Sequence, residues 1–501
     1  MRITSAAALL PLASAFVIFD AEVFNNLETS SRRVIEKGQN IVADVEESAR
    51  NAIGKGHQVF EKTQNALDDA LEKVVDGAKT TREDVYNRIH KAGCDVESWL
   101  EGSSFENSFV TISEDHPDHP DHPHHPPPHH PPPHDGPPHH GPPPHHGKPH
   151  HPPHHGKSNL TVYELISKSN YTTKLAKLID EYPDLVEKLN GTKANFTIFA
   201  PIDSAFEKIP HHGDHKPSKE AIEKVLLYHI SDSFYPAGRV LHSYTIPTLY
   251  EPSDPDLLGH KQRLTVRVTL KGPALNFYSR IVAVNIFGTN GVIHGIDSLL
   301  IPPPNVASII DLLPGEFSTL ELGLGKTGLF DKINSTEYEH SGGTFFAPSN
   351  FAFKKLGPKI NAFLFSKYGQ KYLKALLEYH IVVDKTLYTD AFYDAKDDKD
   401  AATRPPYYHL DLPTTLEGKS IAVDITRYGP FVSVRLNGFS RVTVHDGVAS
   451  DGVIQVVSDV LIPPKKPGGG KDAEGFWQGE ELSVEEFKER LQPFVDESME
   501  L

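Results

Sequence analysis

The chain has 501 residues, of which 38% are hydrophobic, and its formal net charge is −17 with histidine neutral. This length and hydrophobic content suit three or four domains, with globular cores in part of the chain. A single cysteine excludes a framework of internal disulfides, and no nucleic-acid partner is expected.

Residues 1–15 have the form of a secretory signal peptide. An apolar stretch from Ile3 to Leu12 precedes Ala13-Ser14-Ala15, which matches the small-x-small pattern of a signal-peptidase site. No later segment reaches the ~18 to 20 apolar residues that a membrane helix needs, and the C-terminal residues are charged. We therefore predict a secreted, extracellular or cell-wall protein without a transmembrane segment after signal cleavage.

Residues 25–112 carry apolar side chains at helical spacing. Phe60, Leu67 and Val74 fall seven residues apart, as expected for an apolar stripe on a helix, and two glycines divide the pattern into two helices. This helical arm is a candidate for self-association or partner binding, and a loosely docked extension is the alternative. Cys94 lies near its end, where the thiol either forms an intermolecular disulfide or is buried and idle.

Residues 115–157 form a tract that holds 16 of the 29 histidines and 17 of the 41 prolines. It has almost no apolar side chains to bury, so we expect disorder and polyproline II segments rather than a core. Neutral imidazole is a favoured ligand of zinc, copper and nickel, which makes the tract a candidate for binding these ions with modest affinity. A stiff hydrophilic spacer is the alternative. The candidate ligands are His116, His119, His122, His124, His125, His129, His130, His134, His139, His140, His145, His146, His150, His151, His154 and His155.

After this tract the chain contains three sequence motifs, in the same order, twice. The copies lie about 150 residues apart, which predicts two tandem domains at 158–303 and 304–465, followed by an acidic tail at 466–501. The pairs of motifs are Thr197–Phe206 with Thr344–Phe353, Val225–Ile230 with Leu376–Ile381, and Asn290–Pro303 with Asp451–Pro464.

Each motif also predicts local structure. Pro201 and Pro348 end an apolar, β-prone run, because proline cannot donate to a strand ladder. Asp203 and Asn350 follow at positions typical of a helix N-cap, so the first motif predicts a strand-to-helix corner. The second motif predicts a helix, and the third predicts a strand and buried run that end at a Pro-Pro pair.

The three motifs resemble those of fasciclin-like domains, and the resemblance covers roughly residues 158–465. It implies an α+β fold with helices packed around a twisted β wedge, here as two tandem domains preceded by the helical arm and the disordered tract. It also implies a non-enzymatic role in adhesion to extracellular matrix, a cell-wall polymer or a cell-surface protein. Fungal relatives imply an alternative, a vacuole-lumen protein in trafficking or membrane fusion.

The resemblance also points to a tyrosine-histidine pair in the second motif of each copy. In relatives that bind cells this region is associated with adhesion, which makes Tyr228, His229, Tyr379 and His380 adhesion candidates. The other interpretation places the same residues in the core, since a histidine on an apolar helical face is more often a hydrogen-bonded core residue.

Catalytic motifs are lacking in the sequence. We find no H-E-x-x-H, G-x-S-x-G or C-x-x-C motif and expect no required cofactor. Gly323–Gly328 matches a dinucleotide-binding fingerprint, but it follows a segment with a helical pattern rather than a strand, so we interpret it as a loop. A cluster of histidines is a second candidate metal site, with a solvated loop as the alternative. Its members are His211, His212, Asp214 and His215.

The two copies differ in glycosylation acceptors and at one histidine. Four of the five Asn-x-Ser/Thr patterns lie in or beside the first copy, so we expect the second domain to be less shielded by glycans. His294 of the first copy is answered by Gln455 of the second, so a role that needs both histidines of a copy would belong to the first alone. The acceptors are Asn159, Asn170, Asn190, Asn195 and Asn334.

Overall fold

The structure is a computed structural model that describes residues 96–101, 158–191, 195–209, 217–252, 258–269, 272–333, 340–394, 407–428, 431–464 and 482–496. The signal peptide, most of the arm with Cys94, the histidine tract, the His211 cluster and Asn334 lie outside the described residues. What the sequence predicts for them stays a prediction.

Domain 1 begins with helices and continues into a sheet. The helices of this part of the chain are α1 Val96–Glu101, α2 Val162–Lys168, α3 Thr173–Asp180, α4 Pro183–Asn190, a 3-10 helix Asp203–Lys208, α5 Lys219–Tyr228 and α6 Ala237–His242. The strands are β1 Phe196–Pro201, β2 Ile230–Ser231, β3 Thr245–Pro247, β4 Arg263–Thr269, β5 Gly272–Leu275, β6 Ser279–Gly288 and β7 Gly291–Ile296.

Domain 2 repeats this order of elements. Its helices are α7 Val306–Leu312, α8 Pro314–Thr327, α9 Leu329–Ile333, α10 Asn350–Leu356, α11 Pro358–Leu364, α12 Gln370–Glu378 and α13 Val484–Asp496. Its strands are β8 Gly343–Pro348, β9 Ile381–Val383, β10 Lys385–Leu387, β11 Phe392–Asp394, β12 Tyr407–Pro413, β13 Ser420–Tyr428, β14 Phe431–Leu436, β15 Ser440–Ala449 and β16 Gly452–Val457.

The two domains share one sheet topology. The strand order is β2-β1-β7-β6-β5-β4-β3 in domain 1 and β9-β8-β16-β15-β14-β13-β12 in domain 2. β1 pairs in parallel with β7, and β8 pairs in parallel with β16, whereas the other pairs are antiparallel. The strands built from the first and third motifs therefore lie side by side inside each sheet, which confirms the predicted tandem α+β architecture.

The predicted strand-to-helix corner is present in both domains, but the capping residues differ from the prediction. Ser349 caps α10 by accepting a hydrogen bond from the N–H of Ala352 at 3.3 Å, so Asn350 is the first helical residue. Asp203 occupies the equivalent position. Neither side chain caps its own helix. Asp203 instead accepts a hydrogen bond from the backbone N–H of Lys174 in α3 at 2.8 Å, and Asn350 accepts one from the N–H of Thr319 in α8 at 2.9 Å. The corner is thereby joined to α3 or α8.

The glycine-rich segment predicted as a loop is helical. α8 continues through Thr327 and ends only at Gly328, whose φ is 72°. Gly323 faces the aliphatic side chains of α12, where an added Cβ would lie 3.3 Å from Leu377 Cδ1. The close helix contact and the burial of Leu324 outweigh the low helix propensity of glycine.

The segment predicted as an acidic tail contributes to the core of domain 2. Phe487 and Leu491 of α13 are fully buried in the same cluster as the strand residues of this domain. Tyr372 donates a hydrogen bond from its hydroxyl to Gln492 at 2.5 Å. α13 is therefore part of domain 2, because its apolar face is covered by α11 and α12.

At the other end, α1 anchors the chain before the histidine tract in domain 1. The Trp99 side chain is fully buried, its Nε1–H donates to the carbonyl of Leu165 at 3.2 Å, and its own carbonyl accepts from Ser169 Oγ at 2.7 Å. Gly295 leaves room for the ring, since a Cβ there would lie 3.0 Å from it. The described residues before the tract therefore pack on the same domain as the residues that follow it.

Substitution of Trp99 tests this anchor. We expect Trp99→Ala to destabilise domain 1 by about 3 to 5 kcal/mol, because a large buried side chain is removed. Trp99→Phe keeps most of the packing and loses only the indole hydrogen bond, so its effect is smaller. Thermal unfolding of the full chain measures both, and equal stability of Trp99→Ala and the parent would contradict the anchor.

Candidate functional site

The tyrosines of the second motif are buried in both domains. Tyr228 donates its hydroxyl hydrogen to the carbonyl of Arg263 at 3.0 Å and accepts from Asn276 Nδ2 at 2.8 Å. In domain 2, Tyr379 donates to Ser420 at 3.1 Å and accepts from Asn437 at 3.0 Å. Each hydroxyl has a donor and an acceptor, so neither requires a partner molecule.

The histidines next to them bridge two motifs. The N–H of Leu300 donates to His229 Nε2 at 2.9 Å, and the N–H of Leu461 donates to His380 Nε2 at 2.9 Å. Nε2 is therefore the unprotonated nitrogen, and Nδ1–H donates to the carbonyl four residues earlier on the helix. Burial lowers the pKa of both histidines to about 4, opposed by the Nδ1 hydrogen bond.

These four residues are core residues in this fold. Their exposed fractions lie between 0% and 3%, and the side chains of both pairs are hydrogen-bonded within their own domain. The adhesion role implied by the resemblance would need accessible side chains. In the folded chain these residues connect the helix of the second motif to the segment after the last strand and to β4 or β13. A partner would have to contact other residues.

The position that differs between the copies is buried too. His294 Nε2–H donates to the carbonyl of Tyr235 at 2.8 Å, and burial lowers its pKa to about 4. Gln455 donates to the carbonyl of Leu387 at 2.8 Å and also to Asp446 at 3.1 Å. Each side chain thus binds a backbone carbonyl in the segment that follows the second motif of its domain. Only Gln455 also binds a buried carboxylate, that of Asp446.

Asp390 lies at the interface between the two domains. One carboxylate oxygen accepts from the backbone N–H groups of Tyr244 and Thr245, at 3.0 and 2.8 Å, and the other accepts from Thr245 Oγ1 at 2.5 Å. Arg263 Nη2 lies 3.8 Å from the same carboxylate. A domain 2 carboxylate thus satisfies backbone donors at the edge strand of domain 1, which blunts that edge.

Aromatic rings surround the Arg263 guanidinium at this interface. Its Nη1–H donates to the hydroxyl of Tyr393 at 2.8 Å, and its Cζ lies 5.4 Å from the centre of the Tyr388 ring. His260 of domain 1 stacks on Tyr393 with ring centres 3.7 Å apart and planes inclined by 14°. Burial lowers the pKa of His260 to about 4, so the stacked ring is neutral at pH 7.

A second group of contacts joins β4 to β15. Thr265 Oγ1 donates to the carbonyl of Asp446 at 2.5 Å, and Arg267 donates to the carbonyl of His445. Gln262 Nε2 donates to the carbonyl of Ala449 at 3.1 Å. Because these donors reach backbone atoms along one strand, they fix the position of domain 2 along β4 and its orientation.

The arginines of this interface have no counterpart in domain 2. The carbonyls of Arg263 and Ser420 accept the hydrogen bond of the buried tyrosine in their own domains, so they are equivalent positions. Four residues further along each strand, Arg267 is answered by Asp424. At these two positions domain 1 therefore has arginines, whereas domain 2 has a serine and an aspartate.

Asp390 is equally specific to one copy. The N–H groups of Thr389 and Ala237 donate to equivalent side chains on β15 and β6, so the residues that follow, Asp390 and Gly238, are equivalent too. None of these interface residues was predicted from the sequence. Comparison of the copies position by position could have found the charge changes, but insertions shift the alignment between one motif and the next.

The glycosylation acceptors that the structure describes are exposed. Asn159, Asn170, Asn190 and Asn195 all lie at the surface of domain 1. Asn190 accepts a hydrogen bond from Thr161 Oγ1 at 2.7 Å, which brings the end of α4 next to the start of α2. Asn159 and Asn190 therefore lie close together at that end of domain 1.

Among the described residues, no group of three or more histidine, cysteine, aspartate or glutamate side chains is placed to hold a metal ion. None of the helices that the structure describes combines the length and apolar character needed to cross a bilayer.

Comparison with known proteins identifies the repeated unit. The family model described as "Fasciclin domain" matches residues 170–302 and 315–463, which is more than half of the chain. A solved FAS1 domain pair from the insect cell adhesion molecule Fasciclin I covers 58% of this chain and 96% of that chain, with 18% identity and a TM-score of 0.28.

Several named relatives share this unit. Aurofusarin biosynthesis cluster protein S of Gibberella zeae is 30% identical over 369 residues, which covers 69% of this chain and 89% of the relative. Transforming growth factor-beta-induced protein ig-h3 of Oryctolagus cuniculus is 26% identical over 62% of this chain and 41% of the relative. Periostin of Homo sapiens is 27% identical over 40% of this chain and 21% of the relative. The chain thus spans less than half the length of the last two.

Acid sensitivity follows from the buried neutral histidines. The unfolded chain binds protons near pH 6.5, whereas folded His294 binds one only near pH 4, so stability falls as the pH drops between these values. His294 contributes up to about 3 kcal/mol to this loss of folding stability at low pH. We expect His294→Gln, which copies domain 2, to fold normally and to reduce the acid loss, measured as the free energy of unfolding against pH.

A matched control is His409→Gln. His409 is exposed, and its hydrogen bond to Asp424 raises its pKa, so its contribution has the opposite sign. In His409→Gln, the loss of folding stability at low pH should be as large as in the parent or larger. An unchanged pH dependence in His294→Gln would contradict the assignment of a buried neutral ring.

Substitution of Asp390 tests the domain interface. We expect Asp390→Ala to reduce the free energy that couples the two domains by about 3 to 5 kcal/mol, because buried Arg263 loses its carboxylate partner and the edge N–H groups lose their acceptor. Calorimetry should then show two separate unfolding transitions. The control is Asp459→Ala, which removes an ion pair with Lys355 inside domain 2 and should leave the domains coupled. A single transition in Asp390→Ala would argue against the interface.

Proposed function

Because this chain belongs to the fasciclin domain family, we propose that it is a non-enzymatic adhesion protein whose two domains act as one rigid unit. The observation that carries this proposal is the interface of Asp390, Arg263 and Arg267, which fixes the orientation of the domains. A fixed pair presents surfaces of both domains at a defined spacing. Its target is extracellular matrix, a cell-wall polymer or a cell-surface protein.

We place the contact surface on the helical face of domain 2. Leu322 of α8 and Phe351 of α10 are 53% and 52% exposed, and the two helices are joined by the Thr319–Asn350 hydrogen bond. Exposed large apolar side chains on neighbouring helices favour a protein or polymer partner. Lys355 lies over the Phe351 ring at 5.1 Å and adds positive charge to this face.

Domain 1 lacks this apolar pair. Alignment through the equivalent corner hydrogen bonds places Lys177 opposite Leu322 and Ser204 opposite Phe351. The contact face is therefore specific to the second domain, on which the sequence places fewer glycosylation acceptors.

The double variant Leu322→Lys with Phe351→Ser gives domain 2 the residues of domain 1 and tests the proposed face. We expect retention of the full chain on cells or on wall polymer to fall about tenfold or more, because apolar anchors at an interface contribute ~1 to 2 kcal/mol each. Tyr407→Ser, which removes an exposed aromatic side chain from β12, is the control. Unchanged retention of the double variant would refute this face.

A second candidate function has support from one relative. The relative that matches over 89% of its length is named for a biosynthesis cluster rather than for adhesion. The chain would then act as an accessory binding protein beside biosynthetic enzymes, and it would co-purify with them rather than with matrix or wall material. The vacuole lumen stays the alternative to secretion.

A further inference from the structure

The first residue of the third motif ties two helices together in domain 1. Asn290 is fully buried, and its Oδ1 accepts from the N–H of Val162 at 2.9 Å. Its Nδ2 donates to the carbonyls of Leu189 and Gly191, at 2.8 and 2.7 Å. The amide thus joins the start of α2 to the end of α4 and uses both its acceptor and its donors.

Domain 2 has a carboxylate at this position. Asp451 Oδ1 accepts from the N–H of Val306 at 2.8 Å, which preserves the contact to the start of α7. A carboxylate has no N–H group, so Asp451 cannot supply the donors that the Asn290 amide supplies at the end of α4. A cleft that is partly open to solvent lies here, lined by Asp451 and by Ile333, the last residue of α9.

The lining of this cleft is mostly apolar. Phe345, Ile381 and Val382 contribute to the wall, and Thr344 already donates to the carbonyl of Lys385. Burial raises the pKa of Asp451, opposed by the Val306 hydrogen bond and by nearby His340. Within the described part of the chain, no lysine or arginine forms an ion pair with Asp451.

We propose that this cleft binds a small organic cation, a primary ammonium group on a short apolar chain. The ammonium donates to the Asp451 carboxylate, and its charge compensates this buried group. The apolar chain packs on Phe345 and Ile381. This site is separate from the adhesion face, since it lies at the start of α7 and the end of α9.

Titration of the full chain with n-butylammonium at pH 7.5 tests the site. The readouts are calorimetric heat and the amide chemical shift of Val306, with neutral n-butanol as the ligand control. We expect saturable binding of the ammonium that is at least about tenfold tighter than binding of the alcohol, because a charge-assisted hydrogen bond to Asp451 is formed.

The matched variant is Asp451→Asn, which installs the residue of domain 1. It should fold with an equal or higher thermal midpoint, because asparagine already fills this position in domain 1, and it should lose the preference for the ammonium. Equal affinity of Asp451→Asn and the parent for n-butylammonium would overturn the proposal. So would equal affinity of the parent for the ammonium and the alcohol, or the absence of saturable binding.

Discussion

Each domain depends on one buried histidine that joins parts of the chain far apart in sequence. His229 and His380 accept the N–H of residues 71 and 81 positions further on, at the exit of the last strand. Each ring also donates to its own helix, so both nitrogens are used and the tautomer is fixed. A charged ring would lose the acceptor that the strand exit requires, which is why the neutral form is part of the fold.

The copies keep these internal contacts and differ at the positions where they meet something else. The tyrosine, histidine and turn asparagine have the same partners in both domains. Arg263, Arg267 and Asp390, by contrast, occur in one copy only and form the domain interface. Duplicated domains need one core chemistry but not one surface, because a second identical surface would dock another domain in the same way.

The segments outside the two repeats also belong to the domains. Trp99 fills a space in domain 1 that Gly295 leaves open, and Phe487 is buried in domain 2. Both segments lie beyond the residues that match the family model. The two described helices that flank the histidine tract, α1 before it and α2 after it, consequently both pack in domain 1.

The sequence by itself determined the duplication, the α+β class and the strand-to-helix corners, because these depend on local spacing, on proline and on motifs read in order. It did not determine which N–H donor Asp203 or Asp390 would meet, since those donors lie 29 and 145 residues away. The tertiary structure also decided that the tyrosine-histidine pairs are core and that Asp451 faces a cleft. Burial and long-range hydrogen bonding depend on how the strands are ordered in the sheet, and no local pattern records that order.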